Sequence, residues 1–267
     1  MIVGVATSKS ILTKSRLANA KSLTRQSVIN NMGDDLIAWY ETSLEGSFKP
    51  SEIKTDASLI SLWKDSNENA IKNNDAYQTN SSLQPTLYQN VFYNSIPGLR
   101  FSGAQYLNFD GTKFAKTSYT VFVVEQRRSN KSENLFIGGT GNAQNSNLIL
   151  GYGANTTISF AQYANDFSRS VEAYKSPIPM IHTFSFNNTI GKSHSINGGS
   201  TSINNPIQPD GLVSFSGAMI GQYKPDNSPR TYIGDLAEII MFKRSLKTEE
   251  VEAIESYLGS KYGIPVS

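Results

Sequence analysis

Carboxylate pairs are the first candidates for chemistry in this sequence. Retaining hydrolysis of a glycoside needs two carboxyl groups about 5 Å apart, and the spacing Glu-x-Asp would place both on one face of a strand. Glu125 has no acid two positions later, and the nearest pair is Asp235 with Glu238. Three residues apart on a strand, these two are predicted to point to opposite faces. The sequence therefore predicts no catalytic acid pair.

Histidine and cysteine offer little further chemistry. The chain has two histidines, His182 and His194, and no cysteine, which excludes disulfides and thiolate sites. His182 lies inside the apolar run at 180–186, and we expect a hydrogen-bonded strand residue. His194 lies in a polar stretch and is expected to be exposed. Together with the missing acid pair, this predicts a protein that is not an enzyme.

Two tracts combine the residue types that recognise sugars, namely aromatic rings for the apolar sugar face and polar groups for the hydroxyls. The tracts are 157–170 and 221–232. The alternative is that their rings pack over the edges of the core while their polar residues make turns. The candidate ligand-binding residues are Tyr163, Asn165, Asp166 and Arg169 in the first tract, and Tyr223, Asp226, Asn227 and Arg230 in the second.

The elements that position these tracts are predicted from short apolar runs, which are separated by Gly, Asn, Pro and Asp. Their number and the turn residues between them favour an antiparallel sandwich or barrel. The stretch 65–85 is polar and is expected to be a long loop. The predicted strands lie at 36–42, 59–65, 97–103, 106–109, 119–126, 134–139, 147–153, 157–163, 180–186, 192–197, 216–223 and 235–242.

Helical patterns are confined to the two ends of the chain. Near the C-terminus, Val251, Ile254 and Leu258 make one apolar face, which predicts a short helix capped by Thr248 and ended by Gly263. At the other end, residues 1–33 carry five cations and no acid, and they are predicted to form a basic helix that ends before Gly33. The net charge of the whole chain is +2, too small to indicate nucleic acid as a partner.

The order of motifs resembles a known family. The runs GDLAEII (234–240), IESYL (254–258) and KYGI (261–264) are similar to the C-terminal signature of bacterial laminin-G-like, concanavalin-A-like jelly-roll domains. WYET at 39–42 and WKD at 63–65 resemble the first two blocks of that family. The resemblance covers about 36–264. It implies an all-β, two-sheet antiparallel jelly-roll sandwich over residues 34–267, flanked by an N-terminal helix and a short C-terminal helix.

The same resemblance carries two further expectations. Relatives of this fold often bind Ca²⁺ through loop carboxylates and carbonyls, which makes Asp110, Asp166 and Asp226 candidate ligands, although each is also an ordinary turn residue. Relatives also include polysaccharide-cleaving glycoside hydrolases. That activity is the alternative to the leading hypothesis, which is a non-catalytic protein that binds a glycan or another cell-surface ligand.

Residues 1–33 resemble the lower part of the N-terminal helix of type IV pilins, without the cleavage motif and the apolar upper helix. The resemblance implies a stalk remnant that displays the sandwich outside the cell and self-associates through 1–33 into a filament. It also implies an apolar segment upstream of Met1, and a membrane would be a partner only if that segment exists. An ordinary linker helix is the alternative.

Overall fold

The computed structural model describes residues 24–53, 55–67, 73–204, 211–224, 226 and 228–267. Two large sheets face each other. In each sheet, every pair of neighbouring described strands is antiparallel. This is the predicted two-sheet sandwich with a helix towards each end of the chain, so the expected fold class is confirmed.

The first sheet has nine strands, with the order β15 (Ser202–Asn204), β14 (Gly191–Ile196), β13 (Pro179–Asn187), β8 (Tyr119–Arg127), β19 (Ile233–Phe242), β6 (Gly98–Ser102), β5 (Thr86–Tyr88) and β2 (Ser58–Leu59), while β1 (Leu36–Glu41) also pairs with β19. The second sheet has eight strands, with the order β12 (Asp166–Ser170), β11 (Thr157–Ala161), β10 (Ile149–Ala154), β9 (Asn134–Gly138), β16 (Ala218–Ile220), β7 (Leu107–Phe109), β4 (Ala76–Tyr77) and β3 (Leu62–Trp63). A separate hairpin consists of β17 (Gln222–Tyr223) and β18 (Arg230–Thr231).

Strand β8 shows why the first sheet has two buried faces. Tyr119, Val121 and Val123 belong to the core between the sheets, whereas Phe122 and Val124 belong to a second core on the opposite face. Alternate side chains of a strand point to opposite faces. The continuous apolar sequence of this strand is therefore required by burial on both sides.

Two helices cover the second face of the nine-stranded sheet. Helix α1 (Arg25–Met32) is capped by Thr24, whose hydroxyl accepts a hydrogen bond from the Ser27 backbone N–H at 3.2 Å. Helix α2 (Thr248–Tyr262) is closed by Gly263 in the left-handed region, at φ 64°, where glycine carries no Cβ penalty. Both helices contribute apolar side chains to the same core.

The predicted ends of the helices can be compared with these bounds. Helix α1 ends before Gly33 as expected, and residues 1–23 lie outside the described part of the chain. The predicted cap of α2, Thr248, was wrong by one position. Lys247 is the capping residue, and its backbone N–H donates a hydrogen bond to Glu250 Oε2 at 2.8 Å. The expected loop at 65–85 also contains the short strand β4.

A β-bulge in β19 changes which side chains share a face. Leu236 lies opposite Glu125 and Glu238 lies opposite Val124, so Ala237 is an extra residue in the ladder. An extra residue shifts the alternation by one position. Asp235 and Glu238 consequently lie on the same face of the sheet, and the prediction that they point to opposite faces was wrong.

Candidate functional site

The two predicted sugar-binding tracts meet at a groove on the outer face of the eight-stranded sheet. The groove crosses β12, β11, β10 and β9, and the β17–β18 hairpin, which contacts β9, forms one wall. Its volume is about 440 Å³. Residues more than fifty positions apart in the sequence therefore line one concave surface. Four predicted ligand-binding residues are among them, namely Tyr163, Asp166, Tyr223 and Arg230.

The floor of the groove is apolar. Leu135, Ile149 and Ala161 form a small buried cluster with Tyr223, and Tyr163 packs against it. These side chains project from the strands on the face that points away from the other sheet. An apolar floor beneath tyrosine rings provides the surface on which the C–H face of a sugar ring can lie.

The polar rim is centred on Arg230. Its Nε lies 2.9 Å from Glu133 Oε1, and one of its terminal nitrogens lies 3.2 Å from Asp226 Oδ1. The same nitrogen donates to the Ser228 carbonyl at 3.1 Å. The guanidinium is thus held in place by three partners, at a side-chain exposure of 25%. The Ser228 N–H, followed by Arg230, lowers the pKa of the exposed Asp226.

The two tyrosines of the groove differ in burial. Tyr223 is 7% exposed, and burial with Tyr163 nearby raises its pKa to about 12. Its hydroxyl therefore stays protonated at neutral pH. Tyr163 is partly exposed and has φ 47° in a tight turn after β11, a conformation that non-glycine residues rarely adopt. The turn presents the Tyr163 ring at the edge of the groove.

Other predicted ligand-binding residues lie elsewhere. Asn165 is buried, and its amide oxygen accepts a hydrogen bond from Lys192 Nζ at 3.1 Å. Arg169 points between the two sheets, where it donates to the His194 carbonyl at 2.9 Å. Asn227 lies outside the described residues. Asn165 thus supports the turn from within, and Arg169 belongs to a different pocket.

The calcium candidates are not gathered into one site. The Asp110 side chain accepts a hydrogen bond from the Thr112 N–H at 2.9 Å, as in an Asx-turn. Asp226 is bound to Arg230, and Asp166 lines the groove. Within the described ranges, no three His, Asp or Glu side chains are grouped closely enough to hold a metal ion. The calcium site remains a prediction from the family resemblance.

A buried polar network between the sheets was not predicted from the sequence. Glu125, fully buried, accepts hydrogen bonds from Tyr152 Oη at 2.7 Å and from the Tyr232 hydroxyl. His182 Nε2 lies 3.2 Å from the same carboxylate, and His182 Nδ1 lies 3.1 Å from His194 Nε2. The prediction for His182, a hydrogen-bonded strand residue, is confirmed. The prediction that His194 is exposed was wrong, because its side chain points into the core from β14.

The network holds its tyrosines protonated. Burial, followed by the charge of Glu125, raises the pKa of both Tyr152 and Tyr232 well above the ordinary value. Burial, with smaller effects of His182 and Arg169, lowers the pKa of His194. A neutral His194 can donate from Nε2 to His182 Nδ1, and His182 can then donate from Nε2 to Glu125. The phenols act as hydrogen-bond donors to Glu125.

A second buried acid cluster lies under α2. Glu41 and Glu238 are cross-strand partners in β1 and β19. Lys261 Nζ bridges them, at 2.5 Å from Glu41 Oε2 and 2.7 Å from Glu238 Oε2. Arg25 Nε lies 2.7 Å from Glu41 Oε1. Two carboxylates are therefore adjacent, but their oxygens are occupied by cations and Glu238 is fully buried.

Comparisons with known proteins relate the chain to others through its fold. No protein-family model matches the sequence, and no curated protein matches it. Among solved structures, a Trypanosoma rangeli sialidase in complex with 2,3-difluorosialic acid is similar with a TM-score of 0.59 and 14% identity over 88% of this chain. The binding domain of botulinum neurotoxin DC is similar with TM-scores of 0.53 and 0.54, in complexes with rat synaptotagmin II and with SialylT respectively.

These neighbours are longer than the chain. The matched part is 34% of the sialidase chain and 52% of the neurotoxin binding domain, the latter at 12% identity for the synaptotagmin complex and 13% for the SialylT complex. At such identities the likeness supports the two-sheet sandwich fold alone. A fold of this kind hosts many unrelated sites, so function has to be argued from the residues of this chain.

Proposed function

We propose that the chain is a non-catalytic carbohydrate-recognition module that binds glycan in the outer groove. The convergence of Tyr163 and Asp166 with Tyr223 and Arg230 on that groove carries the proposal. An apolar floor, two tyrosine rings and a fixed charged rim match the needs of a sugar, which has both an apolar face and hydroxyl groups. Structural neighbours that hold 2,3-difluorosialic acid and SialylT support the class of ligand.

A glycan array tests this proposal. We expect the wild-type protein to bind a defined subset of glycans, and Tyr163→Ala to weaken that binding at least tenfold, since loss of one stacking ring costs on the order of 1.4 kcal/mol. Asp166→Asn and Arg230→Gln should alter the preference among glycans as well as the affinity.

Tyr77→Ala is the matched control for Tyr163→Ala. Tyr77 lies in β4 of the same sheet and is 50% exposed, while its neighbour Ala76 is buried in the core. Its ring therefore emerges on the same outer face, several strands from the groove. Equal losses of binding in Tyr77→Ala and Tyr163→Ala, or no binding by the wild-type protein, would disprove the groove as the site.

A polysaccharide-cleaving hydrolase is the alternative function. The neighbouring acids Glu41 and Glu238 would be its carboxylates, but Lys261 and the α2 helix cover them. A general acid must reach the glycosidic oxygen, and a buried pair that binds Lys261 does not. Release of reducing ends from β-glucan by the wild-type protein, abolished in Glu238→Gln, would establish the hydrolase instead.

The proposal extends to the cell surface, where a pilin-like stalk in residues 1–33 would display the sandwich for adhesion or filament formation. The family resemblance of those residues supports it. Val28 and Met32 of α1 are buried against the sandwich, so these two side chains are not available for contacts between copies. Among the described residues, no helix is long and apolar enough to cross a bilayer. A full-length gene product, expressed with whatever precedes residue 1, that stays monomeric would refute the stalk.

A further inference from the structure

A second pocket, of about 500 Å³, opens at the edge of the sandwich beside the buried network. Arg127 and Arg169 line it from the two sheets, together with Tyr152, the phenol that binds Glu125. Met180 and Ile196 add apolar wall. This pocket, here called the edge pocket, is separate from the outer groove, because Arg127 and Arg169 face the space between the sheets.

The edge pocket contains the two arginines that lack an acidic partner in the described part of the chain. Within the described part of the chain, each of the other arginines forms an ion pair with a carboxylate, and those arginines are Arg25, Arg100, Arg128, Arg230 and Arg244. Arg127 and Arg169 form none among the described residues, yet both lie in the same pocket. Guanidinium groups hydrogen-bond carboxylates in a bidentate geometry. Two unmatched guanidiniums in one cavity indicate an anionic ligand.

The protein holds both guanidiniums in place through neutral acceptors. Arg127 donates to the Asn155 carbonyl at 3.0 Å and to the Glu172 carbonyl at 3.4 Å, and its charge lies 3.9 Å from the centre of the Tyr152 ring. Arg169 donates to the His194 carbonyl at 2.9 Å. A guanidinium has five N–H donors, so these bonds orient each group and leave donors for a ligand.

The remaining lining decides between classes of anion. Val171, Met180 and Ile196 are apolar, and contact with them suits a carbon frame better than a strongly hydrated phosphate. The carboxylate of Glu172 at the exposed mouth would also disfavour a dianion. We propose that the edge pocket binds a small organic monocarboxylate, with Arg127 and Arg169 at the carboxylate and the apolar side chains against its frame.

Nuclear magnetic resonance of the two histidines tests this proposal. The chain has only His182 and His194, and both adjoin the pocket, since Tyr152 Oη lies 3.2 Å from His182 Nε2 and Arg169 donates to the His194 carbonyl. The probes are glucuronate and benzoate, with glucose, benzamide and inorganic phosphate as controls. We expect either carboxylate to shift the imidazole resonances saturably, and the neutral analogues and phosphate to leave them in place.

Arg169→Gln should weaken the carboxylate titration at least tenfold. Lys243→Gln is the charge-matched control, because Lys243 is exposed and follows the end of β19 that pairs with Thr120, at the opposite end of β8 from Arg127. Arg169→Lys keeps the charge without the fork and should retain part of the affinity. A response to glucuronate alone would assign the pocket to acidic sugars, and a response to both probes would assign it to carboxylates in general.

Three results would overturn the proposal: absence of any saturable shift, an equal response to phosphate, or a titration unchanged by Arg169→Gln in protein that keeps the wild-type spectrum. The inference does not rest on the outer groove. Tyr163→Ala, which tests the groove, should leave the carboxylate titration unchanged, so failure of one site can be told apart from failure of the other.

Discussion

Two fully buried glutamates on neighbouring strands are stabilised in opposite ways. Glu238 in β19 accepts hydrogen bonds from Lys261, from the Tyr262 hydroxyl at 2.7 Å and from Trp39 Nε1 at 2.7 Å. Glu125 in β8 binds two phenols and an imidazole, and no described lysine or arginine forms an ion pair with it. The first glutamate lies under a helix, and the second lies next to an open pocket.

The difference separates a structural cluster from a responsive one. Around Glu238, two acids and two cations tie α1 and α2 to adjacent strands, and burial raises the pKa of Glu238 although Lys261 opposes that shift. Around Glu125, groups that can gain or lose protons form a chain that ends at His194, whose Nδ1 has no hydrogen-bond partner among the described residues. Breaking the first cluster should strongly destabilise the protein, and altering the second should mainly change how its stability responds to pH.

The largest expected effect is on the Glu238 side of the comparison. Lys261→Met removes the cation that bridges Glu41 and Glu238, leaving two buried carboxylates in contact, and should lower the free energy of unfolding by about 3–5 kcal/mol at neutral pH. Urea denaturation followed by circular dichroism measures this. Since a carboxyl pKa raised in the folded state favours folding at lower pH, the difference from wild type should shrink from about pH 7 to about pH 5.

Lys243→Met is the control for that experiment, because Lys243 is exposed and forms no described ion pair. It should stay within about 0.5 kcal/mol of wild type. A loss in Lys261→Met as small as in Lys243→Met would mean that the bridge contributes nothing, and the proposed contrast between the two glutamates would fail.

A pair of identical substitutions sharpens the contrast. Glu125→Gln removes a charge that no cation balances, and its oxygen and amide can still meet Tyr152 and Tyr232, so we expect a loss of about 1–2 kcal/mol. Glu238→Gln leaves Lys261 and Arg25 with one carboxylate between them and should cost more. Urea denaturation of both variants in the same buffer measures the two losses in the free energy of unfolding. Equal losses would mean that the two glutamates are stabilised to the same extent, and the proposed contrast would fail.

The next effect concerns pH. Burial lowers the pKa of His194, so the folded state favours the neutral imidazole. The stability that the neutral imidazole contributes is present when the pH is above the pKa of histidine in the unfolded chain, about 6.5. It is lost as the pH falls below that pKa, by up to about 1.4 kcal/mol per pH unit. In His194→Gln, whose amide can still donate to His182, this part of the pH dependence should vanish. Parallel stability curves for variant and wild type between about pH 7 and pH 5 would contradict the assignment.

The smallest expected effect belongs to the outer groove. Tyr163 is only partly buried at the edge of a small cluster, so Tyr163→Ala should change the free energy of unfolding by less than about 1 kcal/mol. Thermal denaturation beside the glycan measurement checks it. A much larger loss of stability would assign the ring to the structure of the turn and would remove Tyr163 from the proposed binding surface.

The sequence was sufficient to predict the architecture and four of the residues that line the groove. Alternating and continuous apolar runs predicted strands such as β1, β8 and β19. The two aromatic and polar tracts predicted Tyr163 and Tyr223, which share one surface. What succeeded depended on local periodicity and residue type, both of which are properties of short segments.

What failed depended on register and long-range pairing. The bulge at Ala237 has no signature in the sequence, yet it moves Glu238 to the face of Asp235. His194 lies in a polar stretch of β14. The pairing of β14 with β13 nevertheless turns its side chain inward, next to His182. Arg169 joins Arg127 across the sheets for the same reason. Such contacts require the relative position of two strands, which one sequence does not state.

The β17–β18 hairpin has a consequence for how such a protein could diversify. It belongs to neither large sheet, it rests on β9, and it supplies one wall of the groove through Tyr223 and Arg230. Its turn could therefore be lengthened, shortened or rewritten while the ladders of the sandwich keep their register. Exchanging this hairpin for another would be a compact route to a new ligand preference on an unchanged scaffold.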